Sequence, residues 1–284
     1  METAANLIRD SDYAEHANAL IESLIPKIGF TSYPWIEKYL PLGHSRFGGS
    51  ADLPAGSTRP VVAGRPLPLL AQLNFGALPK DCERSLAEHL PRDGWLCLFL
   101  DISDLTAGVA GVDPGIAVMQ FDGPANKLVR DQPEVPEAAE VWTVCHAVVV
   151  YPADYFVSLP SVESIDAAPE IAEAFSDDPE EIDAFNDLLV WNIDALSRTK
   201  HEVTLLGTPT LFNPDPRENF DHPDEWMLLL EFSGVSNWIA GATIPREHLD
   251  QPSLMGADHL QYFVRKTDYK IGRLDRGRFE WMMS

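Results

Sequence analysis

The sequence predicts an α+β protein that is rich in β-structure, with mainly antiparallel sheets, an internal duplication of a β unit and peripheral helices. Short apolar runs bounded by glycine, proline and aspartate recur in both halves of the chain, which is typical of strands. Helical patterns occur near the N-terminus and in an acidic segment between the halves. This order of helix, strands, helices and strands favours antiparallel pairing over alternating β-α-β units.

The chain is long enough to bury a core as a single domain, since it has 284 residues of which 45% are hydrophobic. We divide that domain into four predicted parts. They are an N-terminal helix over 12–25, a first β unit over about 40–151, an acidic helical insert over about 160–197 and a second β unit over about 198–284.

The N-terminal helix is predicted from a capping pattern and an apolar stripe. Asp12 is a good N-cap, and Glu15 three residues later completes a capping box. Pro26 and Gly29 are helix breakers, so the helix is predicted to end near residue 25. The stripe consists of Ala14, Ala17, Leu20, Ile21 and Leu24.

The first β unit begins with a loop rich in glycine and proline and continues with apolar runs that are too short for helices. Glycine, proline or aspartate bounds these runs, which favours strands. The predicted strands lie within 66–75, 94–101, 116–121 and 141–151.

The acidic insert contains the best-capped helix of the chain. Asp178 is a good N-cap, Pro179 suits the first helical position and Glu181 completes a capping box. Asp183 and Asp187 lie on the face opposite the apolar stripe. The stripe consists of Ile182, Phe185, Leu189, Ile193 and Leu196.

The second β unit repeats the pattern of the first. Phe47-Gly48-Gly49 and Leu206-Gly207-Thr208 are each a glycine loop followed by two apolar strands, which predicts a duplicated unit. The strands predicted in this unit lie within 224–232, 238–245 and 260–269.

Charge is the most unusual property of the sequence. The net charge is −23, which argues against a nucleic-acid binder because such proteins need a basic face. No lysine or arginine lies between Arg130 and Arg198, and that stretch holds sixteen carboxylates. Solvated helices usually mix both signs, so the segment is interpreted either as a docking face for a basic partner or as a solubility feature.

No feature of the sequence predicts a membrane protein, an exported protein or a metal protein. The apolar runs are too short to cross a bilayer and the N-terminus lacks a signal-peptide pattern, so we expect a soluble cytoplasmic protein. The three cysteines, Cys82, Cys97 and Cys145, form no C-x-x-C spacing, so no metal site is predicted.

Enzyme signatures and cofactor motifs are also missing from the sequence. Gly43-His44-Ser45-Arg46-Phe47 begins like a nucleophile elbow, but Phe47 occupies the position of the second glycine. His201-Glu202 lacks the second histidine of a zincin motif. Without a dinucleotide fingerprint or a P-loop, no cofactor is predicted and the sequence does not favour an enzyme.

A last group of motifs lies in the two glycine loops and the segments beside them. It comprises Ser45-Arg46-Phe47-Gly48-Gly49, Leu53-Pro54, Arg65-Pro66-Leu67, Leu70-Ala71-Gln72-Leu73, His201, Leu206-Gly207-Thr208-Pro209 and Asp215-Pro216-Arg217. These motifs resemble those of one bacterial family, the YwqG-like proteins of unknown function. The family implies a β-rich α+β fold with an internal duplication and no established activity, and some relatives look like members of toxin–immunity neighbourhoods. The residues 238–242 lack the aspartate of the family's Trp-Gly-Asp-like turn.

Two functional hypotheses follow from these observations. The first is a non-enzymatic binding protein that engages a basic protein partner through Glu181, Asp183 and Asp187, as an immunity-type inhibitor would. The alternative is a small-molecule-binding protein or enzyme with a pocket between the two β units. Its predicted ligand-binding residues are Arg46, Gln72, His201 and Arg217.

Overall fold

The computed structural model describes ten stretches of the chain. They are residues 1–34, 37–62, 64–78, 89–100, 115–131, 148–175, 179–197, 203–211, 214–233 and 259–282. Among the predicted features, Cys82, Cys145, Asp178, His201 and the strand over 238–245 lie outside the described residues.

Strands dominate the described residues. None of the described helices is long and apolar enough to cross a bilayer. The strands are β1 (Ile25–Pro34), β2 (Arg46–Phe47), β3 (Asp52–Pro54), β4 (Val61–Val62), β5 (Arg65–Pro66), β6 (Leu69–Asn74), β7 (Trp95–Leu100), β8 (Ile116–Phe121), β9 (Leu128–Arg130), β10 (Val148–Ser158), β11 (Val203–Leu206), β12 (Trp226–Ser233), β13 (His259–Arg265) and β14 (Gly277–Met282). The α-helices are α1 (Glu2–Arg9), α2 (Ala17–Glu22), α3 (Pro169–Phe175), α4 (Pro179–Phe185), α5 (Trp191–Asp194) and α6 (Lys266–Lys270).

Ten strands form one sheet in the order β14-β13-β12-β11-β1-β10-β2-β6-β7-β8. Each pair of neighbours in this sheet is antiparallel. The remaining strands pair outside it, β3 with β9 and β4 with β5. The predicted α+β class with mainly antiparallel, β-rich structure is therefore confirmed.

The order of the large sheet is symmetric about its centre, where β1 and β10 pair along their length. One flank is β2-β6-β7-β8 and the other is β11-β12-β13-β14, each running outward in chain order. The strand that precedes each flank in the sequence pairs with the other flank, because β1 lies beside β11 and β10 lies beside β2. This exchange of the first strands joins the two β units into one sheet.

Each of the two glycine loops contains two successive residues with a positive φ angle. Gly48 and Gly49 follow β2 with φ angles of 65° and 72°. Leu206, the last residue of β11, and Gly207 after it have φ angles of 63° and 94°. Two successive left-handed residues are uncommon, especially where one of them carries a side chain. The shared conformation is the structural counterpart of the predicted sequence echo.

The main core lies between the two flanks of the sheet. Phe47 of β2 packs edge-to-face on Phe232 of β12, with 5.8 Å between the ring centroids. At the outer edge, the Gln120 side chain of β8 donates to the carbonyl of Gly272 and accepts from the Leu274 amide. Apolar side chains from both flanks belong to this single cluster, so the two β units fold as one body.

A second core holds the helices against the end of β10. Phe185, Leu189 and Ile193 of the acidic insert are fully buried there, together with Val157 and Leu159. The three buried residues of the insert, Phe185, Leu189 and Ile193, belong to the predicted apolar stripe. The opposite side of the insert therefore faces outward.

The N-terminal region differs from the prediction of one helix over 12–25. Helix α1 precedes that range, a 3-10 turn spans Ala14–His16, α2 follows, and β1 begins at Ile25. The break near Asp12 lets the Tyr13 ring contact Phe175 and Phe185, at centroid distances of 5.5 and 5.1 Å. This aromatic packing takes precedence over continuing the helix.

Candidate functional site

Arg46 and Gln72 of the predicted pocket are neighbours, paired across β2 and β6. Both are fully buried. The Gln72 side chain accepts from the Asp52 amide at 2.8 Å and donates to the His44 carbonyl at 3.2 Å, while Arg46 pairs with the Asp52 carboxylate. Arg130 donates to the same carboxylate at 2.9 Å, so this cluster holds the first glycine loop in place.

Arg217 belongs to a different cluster. Its guanidinium donates to Asp215 at 2.6 Å and to Asp166 at 2.7 Å. Burial tends to raise the pKa of Asp215, but hydrogen bonds and the charge of Arg217 lower it overall. The structure thus brings Arg46 and Gln72 together, gives Arg217 separate carboxylate partners, and leaves His201 outside the described residues.

A row of buried polar side chains crosses the second flank of the sheet. Thr204, Glu231 and Gln261 lie directly opposite one another on β11, β12 and β13, and all three are buried. We call these three residues the polar row. The sequence motifs do not point to them, although a charged residue inside the apolar run of β12 is an available signal.

Glu231 is the best-connected member of the polar row. Its Oε1 accepts from Gln261 at 2.9 Å and from the Thr210 amide at 3.1 Å, and lies 3.1 Å from His259 Nδ1. Burial alone would raise the pKa of Glu231. The hydrogen bonds from His259 and Gln261 and the charge of Lys27 instead lower it to about 2. The side chain is therefore an anion at neutral pH.

Lys27 links the polar row to the acidic insert. Its Nζ lies 3.7 Å from Asp194 Oδ2, and its side chain is buried beneath the second glycine loop. Burial raises the pKa of Asp194, Lys27 opposes that shift, and Glu231 adds to it. The Lys27 ammonium group thus interacts electrostatically with the carboxylates of both Asp194 and Glu231.

An open cleft lies beside this cluster. Its walls are the helical residues 186–194, the segment after β10 and the segment after β11. The Thr210 backbone joins the cleft to the polar row, because its N–H donates to Glu231 and its carbonyl accepts from Gln261 at 2.8 Å. The lining residues are Leu159, Ser161, Glu163, Asn186, Val190, Trp191, Asp194, Thr208, Pro209, Thr210 and Leu211.

Two residues that line the cleft, Asn186 and Asp194, each have one buried side-chain oxygen, Oδ1, without a hydrogen-bond partner among the described residues. In the polar row, Thr204 Oγ1 and Gln261 Oε1 are likewise buried without a hydrogen-bond partner among the described residues. An unsatisfied buried polar atom costs roughly 1–3 kcal/mol. The arrangement is therefore suited to bind a ligand that donates hydrogen bonds or carries positive charge.

The outward side of the insert carries the partner-binding residues predicted from the sequence. Glu181, Asp183 and Asp187 are exposed and have no ion pair among the described residues, and we call them the acidic face. Leu188 and Trp191 beside them are each 55% exposed. This surface combines negative charge with large apolar side chains.

A comparison with protein families gives one finding for this chain. A family model described as a domain of unknown function, DUF1963, matches residues 45–282. The match spans both flanks of the large sheet and the acidic insert, and it begins after β1. No curated protein matches the chain.

Proposed function

The chain belongs to the DUF1963 family, whose function is unknown, and from this premise we propose that it is a non-enzymatic binding protein. Its partner is a basic protein, which it engages through the acidic face in the cytoplasm, as an immunity-type inhibitor would. The narrower YwqG-like grouping is part of the proposal. Its support is that the two resembling glycine motifs each contain two successive residues with a positive φ angle.

The observation that carries the proposal is the unequal pairing of carboxylates within the acidic segment. Asp131, Asp166 and Asp194 lie 2.8, 2.7 and 3.7 Å from the cationic nitrogens of Arg59, Arg217 and Lys27. These cations come from other parts of the chain. The acidic face has no such partners among the described residues, so its charge is available to a second molecule.

Exposed apolar side chains strengthen the case for a docking surface. Trp191 and Leu188 project beside the carboxylates, although the stripe at Leu189 and Ile193 already supplies the core. Tryptophan is enriched among the residues that dominate binding energy at protein interfaces. A basic partner would bury these side chains while its lysines and arginines meet the carboxylates.

Charge complementarity of this kind mainly accelerates association. A net charge of −23 attracts a basic protein over a distance set by the ionic strength. The acidic face would then fix the orientation of the encounter. Binding should weaken as salt is added, and the on-rate should change more than the off-rate.

The test is capture of a basic partner, identified from lysate at low salt, by matched charge variants. Glu181→Lys, Asp183→Lys and Asp187→Lys are combined in one protein. A control combines Glu218→Lys, Asp221→Lys and Asp224→Lys, which are exposed carboxylates of the second β unit. Both variants change the net charge equally, but only the first alters the acidic face. We therefore expect the first variant to lose capture of the partner and the control to keep it. Equal effects of the two variants would show that only net charge matters.

The alternative pocket receives less support from the same structure. A ligand for Arg46 and Arg217 would compete with Asp52 and Asp215, which already neutralise them inside the protein. Both arginines are fully buried. Breaking a buried ion pair typically costs about 3–5 kcal/mol, so the observed pairing favours the binding-surface proposal.

A further inference from the structure

We propose that the cleft formed by residues 186–194, 159–163 and 208–211 receives one basic side chain of the protein partner. The inference rests on the proposed function in one respect, because the side chain is assigned to the partner that docks on the acidic face. It adds a defined position on the surface, the cleft, where a positively charged side chain of the partner would bind.

The two unpartnered acceptors define the ends of the site. Asn186 and Asp194 are eight residues apart, which separates them by about 12 Å along a helix. In a regular α-helix they would also lie about 80° apart around the axis. The residues Asn186–Val190 form a π-helical turn, which advances each residue by a smaller angle and so reduces the angular separation of positions 186 and 194.

This spacing suits a residue with a long basic side chain. Its charged end would donate to Asp194 Oδ1, and a backbone N–H of the same residue would donate to Asn186 Oδ1. An extended side chain with a hydrogen bond at either end spans a comparable length. Val190 lies between the acceptors and contacts the cleft, so it offers apolar surface to the methylene groups.

Charge in the cleft favours a cation over a neutral donor. Lys27 is shared between Asp194 and the Glu231 anion, so the cluster holds more negative than positive charge. Glu163 at the rim adds another exposed carboxylate. A second cation would pair with Asp194 through the oxygen that Lys27 does not contact, and charge-assisted hydrogen bonds of this type are strong.

Continuity with the acidic face favours a protein as the source of the cation. Trp191 forms a wall of the cleft and is also 55% exposed beside Leu188 and Asp187. A partner docked on the acidic face would therefore cover the mouth of the cleft. A free cation would gain nothing from these outer side chains.

The probe is Nα-acetyl-arginine N-methylamide, which resembles an arginine within a polypeptide. We expect a saturable shift of the Asn186 side-chain amide and the Trp191 indole signals in NMR titrations. The citrulline analogue has the same shape without the charge and should bind at least about tenfold more weakly. Agmatine carries the guanidinium without the peptide groups and should also bind more weakly, because Asn186 then lacks its donor.

Variants test the two ends of the cleft separately. Asp194→Asn should weaken the capped arginine at least about tenfold, and Asn186→Ala should bring its affinity down to that of agmatine. Asp224→Asn, an exposed control, should change neither value. Thermal melts of each variant show whether the fold is retained, and the citrulline and agmatine comparisons on the unmodified protein need no variant.

The outcomes separate this inference from the proposed function. Saturable arginine binding together with partner capture that ignores the acidic face would support the cleft and overturn the proposed function. Absent saturation, equal binding of the citrulline analogue, or no effect of Asp194→Asn would overturn the inference. Tighter binding of agmatine than of the capped arginine would overturn it as well, because a free cation would then be the occupant.

Discussion

Glu231 occupies in the second β unit the position that Gln72 occupies in the first. Gln72 accepts a backbone N–H from Asp52, three residues after Gly49, and Glu231 accepts one from Thr210, three residues after Gly207. In both units the side chain of the second flank strand fixes the segment that follows the left-handed pair. The same side-chain-to-backbone hydrogen bond thus occurs in both β units, with a neutral amide as acceptor in the first and a carboxylate in the second.

The charge at Glu231 predicts a specific dependence of stability on acid. Its pKa in the folded protein is about 2, below the ordinary value of 4.5, so the unfolded chain binds the proton more readily. Its stabilising contribution is complete above about pH 4.5 and is lost as the pH falls through about 2. We expect the stability difference between wild type and Glu231→Gln to shrink across this window in urea titrations.

Gln72→Glu is the control for that experiment, because it places a carboxylate at the equivalent position of the first unit. A stability difference for Glu231→Gln that stays constant between pH 4.5 and pH 2 would contradict the role assigned to the Glu231 charge.

The Cys97 thiol should be inert in the folded protein. It is fully buried, and burial raises its pKa to about 12 although the charges of Arg46 and Arg59 lower it part of the way. Thiolate, not thiol, reacts with alkylating reagents. In a Cys82→Ser, Cys145→Ser protein we expect iodoacetamide labelling only in unfolding concentrations of urea. Rapid labelling in native buffer would show that β7 opens locally.

Asp52 should be much more important for stability than a surface carboxylate with a similar partner. It is fully buried and pairs with Arg46 and Arg130, so Asp52→Asn leaves buried positive charge uncompensated. We expect a loss of about 3–5 kcal/mol in the free energy of unfolding.

The comparison for Asp52 is Asp275→Asn, which removes the exposed pair with Arg273 at 3.0 Å. Exposed pairs of this kind contribute roughly 0.2–1 kcal/mol. Similar losses for the two variants, measured by urea unfolding, would mean that the Asp52 cluster does not hold the first glycine loop.

Local pattern was enough to predict much of the sheet and the acidic helix. The strands β7 and β8 lie in short apolar runs, and the stripe at Phe185, Leu189 and Ile193 is buried as its spacing predicts. Strand β1 was missed because Pro26 and Gly29 are typical breakers. Proline is tolerated at position 26 because β11 pairs with β1 only from Lys27 onward, and a bulge follows Gly29.

The candidate site was much harder to predict, because its parts converge from distant positions in the chain. Lys27, Asp194 and Glu231 come from the first central strand, the acidic insert and the second flank. Only the exchange of β1 and β10 between the units brings Lys27 to the second glycine loop. No local period encodes that exchange, and the sequence motifs therefore favour the arginines over the lysine.

Gly207 and Lys27 provide a direct test of how this loop and the site depend on each other. A Cβ at Gly207 would lie 2.7 Å from Lys27 Cδ, and the backbone φ of +94° is unfavourable for a side chain. Gly56 has a similar φ of +85° with no atom within 4 Å, so Gly56→Ala measures the backbone cost alone, about 1–2 kcal/mol. Gly207→Ala should cost clearly more in urea unfolding, because Lys27 must move away from Asp194. Combining it with Lys27→Ala should recover most of the excess, and a double variant as unstable as the sum of the single ones would contradict the contact.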